Sequence, residues 1–191
     1  MPVNLDGLIF GQIMPDNSSP NGSGEFDTDL DGTASQEDEF VSVTNTNATP
    51  LDISGWQIWS DSTGGGAPDS PSDGLFHTFP AGTVIAPGDT LWIINEVTGS
   101  RAYAQEASEG AGTAAGDPNL LTEGSSGSQA ESVALYNPDT GEFIVFNMSP
   151  NAPQITSVPG FPGGATEIGE IDGHSIQADP GHGFSLSLIH I

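Results

Sequence analysis

Short apolar segments separated by turn residues are the feature that most restricts how this chain can fold. The 191 residues include 26 glycines and 15 prolines, a content that is high but below that of disordered chains. The segments between these residues are short and apolar or alternating, as β-strands are. We therefore predict an all-β protein, a β-sandwich of about seven to nine short strands with long Gly/Pro-rich loops.

Turn residues divide the sequence into the individual predicted strands. These lie at 8–14, 39–45, 54–61, 76–79, 83–85, 90–95, 131–136 and 142–146, with a last edge strand at 175–176. The segment NPDTG at 137–141 favours a hairpin, with proline at a type I turn position and glycine available for positive φ. Residues 101–109 could hold one or two helical turns.

An aspartate-rich loop at 27–38 has the spacing of a calcium site. It satisfies D-x-D-x-D-G-x5-acid, a pattern in which oxygen ligands surround one hard cation and Gly32 permits a sharp turn. The predicted metal ligands are Asp27, Asp29, Asp31, Asp38 and the backbone carbonyl of Thr33. Carboxylates held this close repel one another unless a cation joins them, which favours bound Ca²⁺ over an empty, solvated loop.

Two features distinguish this loop from the helix-flanked kind. The closing acid is Asp38 rather than glutamate, and the segment that follows is a predicted strand. Aspartate has a shorter reach than glutamate, so Glu37 or Glu39 could supply the closing carboxylate instead. Ser35 could hold a ligating water.

The charge of the chain excludes several partners. One basic residue against 26 acidic ones gives a net charge of −25, which repels nucleic acid and anionic membranes and favours cations or high salt. No cysteine is present, so neither disulfides nor thiolate zinc sites are expected. No apolar run reaches membrane-spanning length, and the N-terminal residues lack the positive region of a Sec signal.

The aromatic residues allow two interpretations. Trp56 and Trp92 lie in strand patterns and are predicted to pack in the core, whereas Trp59 could be buried or exposed. A carbohydrate-binding module would require Trp59 or Tyr103 on an open face.

Nothing in the sequence indicates catalysis. His77, His174 and His182 show no metal-binding spacing and are expected to be isolated surface or strand residues. Nucleophile elbows, phosphate-binding loops and nucleotide fingerprints do not occur, so we predict that the chain is not an enzyme.

Several segments together resemble the lamin tail domain family. They are GLIFGQIMPD, DEFVSVTNT, PLDISGWQIWSD, HTFPAGTVIAPGDTLWIIN and LLTEGSSGSQAESVALYNPDTGEFI, in the order the family shows. The resemblance implies an immunoglobulin-like β-sandwich over 1–150, with the acidic loop inserted before its second strand, and a closing segment at 151–185. It also implies a non-catalytic binding or structural module, in bacteria an accessory domain of exported multidomain proteins, sometimes beside nuclease or phosphatase domains. Chromatin contacts of nuclear members need basic surface, and this chain has only Arg101.

The final six residues, LSLIHI at 186–191, match one reading frame of a widely used transposon-end sequencing adapter. We therefore expect 186–191 to be adapter read-through of a metagenomic bacterial gene, with the natural protein continuing past Ser185. An acidic, cysteine-free chain without a Sec signal also suggests an extracellular protein exported by type I secretion.

Overall fold

Two stacked β-sheets form the framework of this protein. The computed structural model describes residues 3–16, 27, 28, 30, 32, 40–62, 74–95, 97, 100–108, 131–147, 154–172 and 184–187. Within these residues there are twelve strands, one 3-10 turn at Ile155–Ser157 and no α-helix. The strands are β1 (Leu8–Asp16), β2 (Phe40–Asn45), β3 (Leu51–Asp52), β4 (Gln57–Ser62), β5 (Gly74–Thr78), β6 (Val84–Ile85), β7 (Thr90–Ile94), β8 (Ala104–Glu106), β9 (Glu131–Asn137), β10 (Glu142–Asn147), β11 (Thr166–Asp172) and β12 (Phe184–Ser187).

The strands form an immunoglobulin-like sandwich, which confirms the predicted fold class. The first sheet has the order β12-β1-β2-β7-β8, the second has the order β11-β10-β9-β4-β5, and β3 pairs with β6 as a small third sheet. Most neighbours are antiparallel, but β8 runs parallel to β7 and β11 runs parallel to β10. β3, β6 and β8 have only two or three residues, and the other nine strands have four or more.

Alternation of side chains along the strands builds the core between the sheets. The inward residues are almost all aliphatic or phenylalanine and form one buried cluster. From the first sheet they include Leu8, Phe10, Ile13, Val41, Val43, Leu91 and Ile93. From the second they include Ile58, Phe76, Val133, Leu135, Ile144 and Phe146.

The predicted hairpin between β9 and β10 is confirmed. Gly141 has φ of +71° and its N–H donates to the carbonyl of Asn137 at 2.9 Å. The side chain of Asn137 accepts the N–H of Asp139 at 2.9 Å, so polar groups within the turn satisfy one another.

Of two further sequence predictions, one is wrong and one lies outside the described residues. The helical turns predicted at 101–109 are wrong, because 104–106 form strand β8 at the edge of the first sheet. The edge strand predicted at 175–176 lies outside the described residues.

Leu186 and Ser187, the first residues of the predicted adapter segment, lie in β12 opposite β1. Strand pairing is open to many sequences, so the origin of these residues stays a prediction.

The N-terminal segment closes the side of the sandwich near β1. Asp6 and Gly7 have φ of +52° and +88° and form a two-residue turn, across which Leu5 and Leu8 exchange both backbone hydrogen bonds. The turn brings Val3 against Gly169 of β11, where an added Cβ would lie 2.5 Å from Val3 Cγ1. The segment therefore connects the first strand of one sheet to the edge strand of the other.

We expect Gly169→Ala to destabilise the protein by about 1 kcal/mol, because the new methyl group overlaps Val3. In a Val3→Ala background the same change should be neutral or stabilising, since alanine restricts the unfolded chain more than glycine does. Urea unfolding of the four variants of this cycle measures the coupling. Gly163→Ala is the matched control, because a Cβ there meets nothing within 4 Å. Equal effects of Gly169→Ala in both backgrounds would contradict the contact.

Candidate functional site

The acidic loop is described in part. Of the five predicted metal ligands the structure places Asp27, whereas Asp29, Asp31, Thr33 and Asp38 lie outside the described residues. Asp27 Oδ2 accepts the N–H of Gly32 at 2.9 Å, and Gly32 has φ of +99°. The chain therefore turns sharply within the loop, and the first carboxylate is fixed by the glycine five residues later.

The loop lies against the end of the first sheet. The hydroxyl of Tyr103 donates to the carbonyl of Thr28 at 3.5 Å, and Tyr103 immediately precedes β8. β7 separates β2 from β8 in this sheet, so Thr28, which precedes β2 in sequence, contacts a residue that lies next to β8 rather than to β2. Within the described residues, no group of three or more His, Cys, Asp or Glu side chains is placed to hold a metal ion.

An aromatic pair lies beside the loop. The rings of Trp92 and Tyr103 meet edge to face with centroids 5.9 Å apart. The prediction that Trp92 packs in the core is wrong, because Trp92 is half-buried on the outer face of the first sheet, near Met14 and Ile94. Tyr103 is 37% exposed. Leu30 of the loop is 66% exposed. An accessible ring supported by a second ring is thus present at the site.

The other two tryptophans belong to the interior. Trp56 packs between the sheets, as predicted, with 4% of its surface exposed. Trp59 lies on the outer face of the second sheet, where Phe161 of the closing segment covers it at a centroid distance of 5.3 Å. Phe161 also contacts the rings of Tyr136 and Phe143. The interpretation of Trp59 as an exposed sugar platform is therefore wrong.

A buried polar network connects the two sheets. His77 Nε2 lies 3.0 Å from Gln105 Oε1, and Gln105 Nε2 donates to Thr83 Oγ1 at 3.2 Å. His77 is 1% exposed, and burial lowers its pKa to about 4 although the hydrogen bond to Gln105 acts in the opposite direction. Its Nδ1 has no hydrogen-bond partner in the described part of the chain.

A β-bulge turns His77 inward. Ile58 pairs with His77 and Trp59 pairs with Leu75, so Phe76 is an extra residue in β5. Phe76 and His77 consequently both point into the sandwich, which a strict alternation of two does not allow. The sequence carries no signal for this bulge, and the strand position of Gln105 was missed as well. His174 and His182 lie outside the described residues.

An open groove of about 380 Å³ lies along 80–91, with Ala102 and Gln105 on its other side. Among the described residues that line it, Asp89 is the only charged one and none is aromatic. Of Trp59 and Tyr103, the two positions that a carbohydrate-binding module would use, only Tyr103 is accessible.

The fold and the site together define the class of this protein. It is an immunoglobulin-like β-sandwich that carries a polar insertion between its first two strands, and no described helix has the length and apolar character needed to cross a membrane. Residues 5–148 match the model of the lamin tail domain, so the chain belongs to the lamin tail domain family. No curated protein matches the chain. Members of this family are immunoglobulin-like structural or binding modules and are generally non-catalytic.

We expect Trp59→Ala to destabilise the protein by about 3–5 kcal/mol, because it removes a buried ring and leaves a cavity beneath Phe161. Tyr103→Ala should cost about 1 kcal/mol or less, since its ring is partly exposed. Guanidinium unfolding of both variants compares them directly. A larger loss of stability in Tyr103→Ala than in Trp59→Ala would contradict this assignment of core and surface.

Proposed function

We propose that this chain is a calcium-stabilised structural and binding module of an exported, multidomain bacterial protein. The observation that carries this proposal is the hydrogen bond from Gly32 N–H to Asp27 Oδ2, inside a loop with calcium-type spacing that also touches Tyr103. The bond holds the first predicted ligand at a sharp turn, where the acids that follow it in sequence can approach the same ion.

Calcium would act on folding through linkage. A cation that binds the loop only in the folded state lowers the repulsion among its carboxylates and fixes the start of β2. Extracellular calcium modules have dissociation constants of about 10⁻⁴–10⁻³ M, so ~10 mM calcium would stabilise the fold by about 1–3 kcal/mol. The calcium-poor cytoplasm would leave the loop empty.

The composition supports export. An exported chain with no cysteine cannot be stabilised by disulfides, so a bound metal ion would take their place, and its 26 acidic residues favour an environment rich in divalent cations. Type I secretion through a C-terminal signal is the proposed route. Partners of the module would be proteins or glycans rather than nucleic acid, which its charge repels.

We expect calcium to raise the unfolding temperature by roughly 3–10 °C relative to chelator at constant ionic strength. Asp29→Ala should abolish the shift, because it removes a predicted ligand. Asp139→Ala is the matched control, since it deletes an exposed carboxylate in the β9–β10 turn and changes the net charge equally. Calorimetry with calcium, magnesium and chelator measures all three proteins. An unfolding temperature of the wild type that calcium does not change, or a full calcium-induced shift in Asp29→Ala, would contradict the proposed site.

The same measurement identifies the closing acid. Glu37→Gln, Asp38→Asn and Glu39→Gln each remove one charge and keep the size of the side chain. The variant that loses most of the calcium shift marks the closing ligand, which we expect to be Asp38.

Glycan binding is the second candidate function, and the exposure of Tyr103 favours it. Tyr103 is supported by Trp92 and lies at the loop, an arrangement suited to stacking on a sugar face. We expect any glycan bound on an array in the presence of calcium to be lost in Tyr103→Ala and retained in Asp139→Ala. Binding that persists in Tyr103→Ala would remove this candidate.

A further inference from the structure

The edge strands β5 and β8 come from different sheets and meet at a seam on one side of the sandwich. Ser108, just after β8, caps the edge of β5: the N–H of Thr78 donates to Ser108 Oγ at 3.0 Å, and Ser108 Oγ donates to the carbonyl of Thr78 at 3.5 Å. The bond between His77 and Gln105 joins the same two strands inside the sandwich. In the described part of the chain β5 and β8 are not paired through their backbones, and these side-chain bonds join them instead.

The direction of each proton in the network follows from its partners. Thr83 Oγ1 donates to the carbonyl of Pro80 at 2.8 Å, so toward Gln105 it can only accept. Gln105 must therefore direct its NH₂ to Thr83 and its carbonyl oxygen to His77. Since that oxygen cannot donate, His77 is the donor and carries its proton on Nε2. Nδ1 is then a bare lone pair in a buried site.

A proton added to Nδ1 would have no acceptor and no nearby negative charge in the described part of the chain. Asp61 of β4 lies three residues from Ile58 and so faces the outer side of the second sheet with Trp59. Glu106 of β8 neighbours Gln105 and is exposed on the opposite side of its strand. β7 has no charged residue, and Phe79 offers only an edge-to-face ring contact at 4.8 Å.

We propose that the seam between β5 and β8 is an acid-sensitive latch, in which protonation of His77 drives its side chain out of the interior and uncaps the edge of β5. The pairings of β2 with β1 and β7 and of β9 with β10 do not involve His77, so these strands stay paired. An uncapped edge strand offers free N–H and C=O groups, so acid would convert a closed side of the module into one that can pair with another strand.

The sign of the effect follows from proton linkage. The buried ring binds its proton less readily than an unfolded one, whose pKa is about 6.5. The open state therefore takes up a proton first as pH falls, so the closed seam loses stability between about pH 6.5 and pH 4. Above about pH 7 both states have a neutral ring and the latch is fully closed.

Native-state hydrogen exchange tests the proposal. Between pH 7 and pH 5, after correction for intrinsic rates, we expect opening at the Thr78 amide, which Ser108 Oγ caps, to increase on the order of tenfold to thirtyfold. His77→Gln is the matched variant, because its Nε2 can donate to Gln105 but does not titrate, and the increase should disappear. The amides of Leu135 and Ile144, in the pairing of β9 with β10, should change equally in both proteins.

A second variant keeps the test decisive if His77→Gln does not fold. Gln105→Glu places a carboxylate against Nε2, which favours the charged ring, so the acid-induced opening should shrink. Long-range ¹⁵N–¹H spectra of the wild type should show the Nε2–H tautomer of His77. The proposal is overturned by equal acceleration in wild type and His77→Gln, by unchanged acceleration in Gln105→Glu, or by uniform acceleration that includes Leu135 and Ile144.

Discussion

The shared core between the two sheets is the interaction on which the rest of this structure depends. Each sheet buries one face of aliphatic and aromatic side chains, and neither face could remain in water. A sandwich of two open sheets also has lateral edges, and these must be closed to keep the core dry. One side is closed by the Ser108 and His77–Gln105 bonds, and the other by the turn that seats Val3 on Gly169. The two sides are closed by different chemistry: the contacts of His77 and Ser108 are polar and include a titratable group, whereas the contact of Val3 with Gly169 is apolar.

Local register irregularities decide which residues reach the interior. In β1 the pairing with β2 shifts between Phe10 and Ile13, and both of these residues pack in the core. In β5 the extra residue Phe76 turns His77 inward. In β11 the pairing skips Ile168, which is 45% exposed on an edge that also carries Glu167. A bulged, charged edge strand resists pairing with another chain, so the bulge in β11 protects that edge. The bulge in β5 places His77 where it can bond to Gln105 and close the opposite side of the sandwich.

The parts of the fold that could be predicted are those in which local sequence and tertiary structure agree. The strand at 90–94 is apolar and β-branched, and the hairpin at 137–141 has turn residues at each required position. β8 and β11 were missed because AQE and TEIGEID carry little apolar signal, and they form only because a neighbouring strand offers a parallel partner. The burial of Trp59 depends on Phe161, about a hundred residues away and beyond the family match at 5–148. The calcium motif is visible in sequence, but the contact of Thr28 with Tyr103 beside β8 could not be predicted, because it depends on the order of the strands in the sheet.

Repulsion among the carboxylates of the loop is short-ranged, whereas repulsion from the net charge extends over the whole surface. This difference distinguishes a specific effect of calcium on stability from a general effect of salt. The acidic residues that give a net charge of −25 repel one another over the whole surface, and an ionic strength of about 0.1 M screens that repulsion beyond ~10 Å. Carboxylates that coordinate one ion would be closer than this, so monovalent salt would relieve their repulsion less than a coordinated divalent ion would. Stability that rises smoothly with ionic strength therefore reports the surface. Stability that saturates with calcium at fixed ionic strength would report the proposed site in the loop, which contacts Tyr103 just before β8.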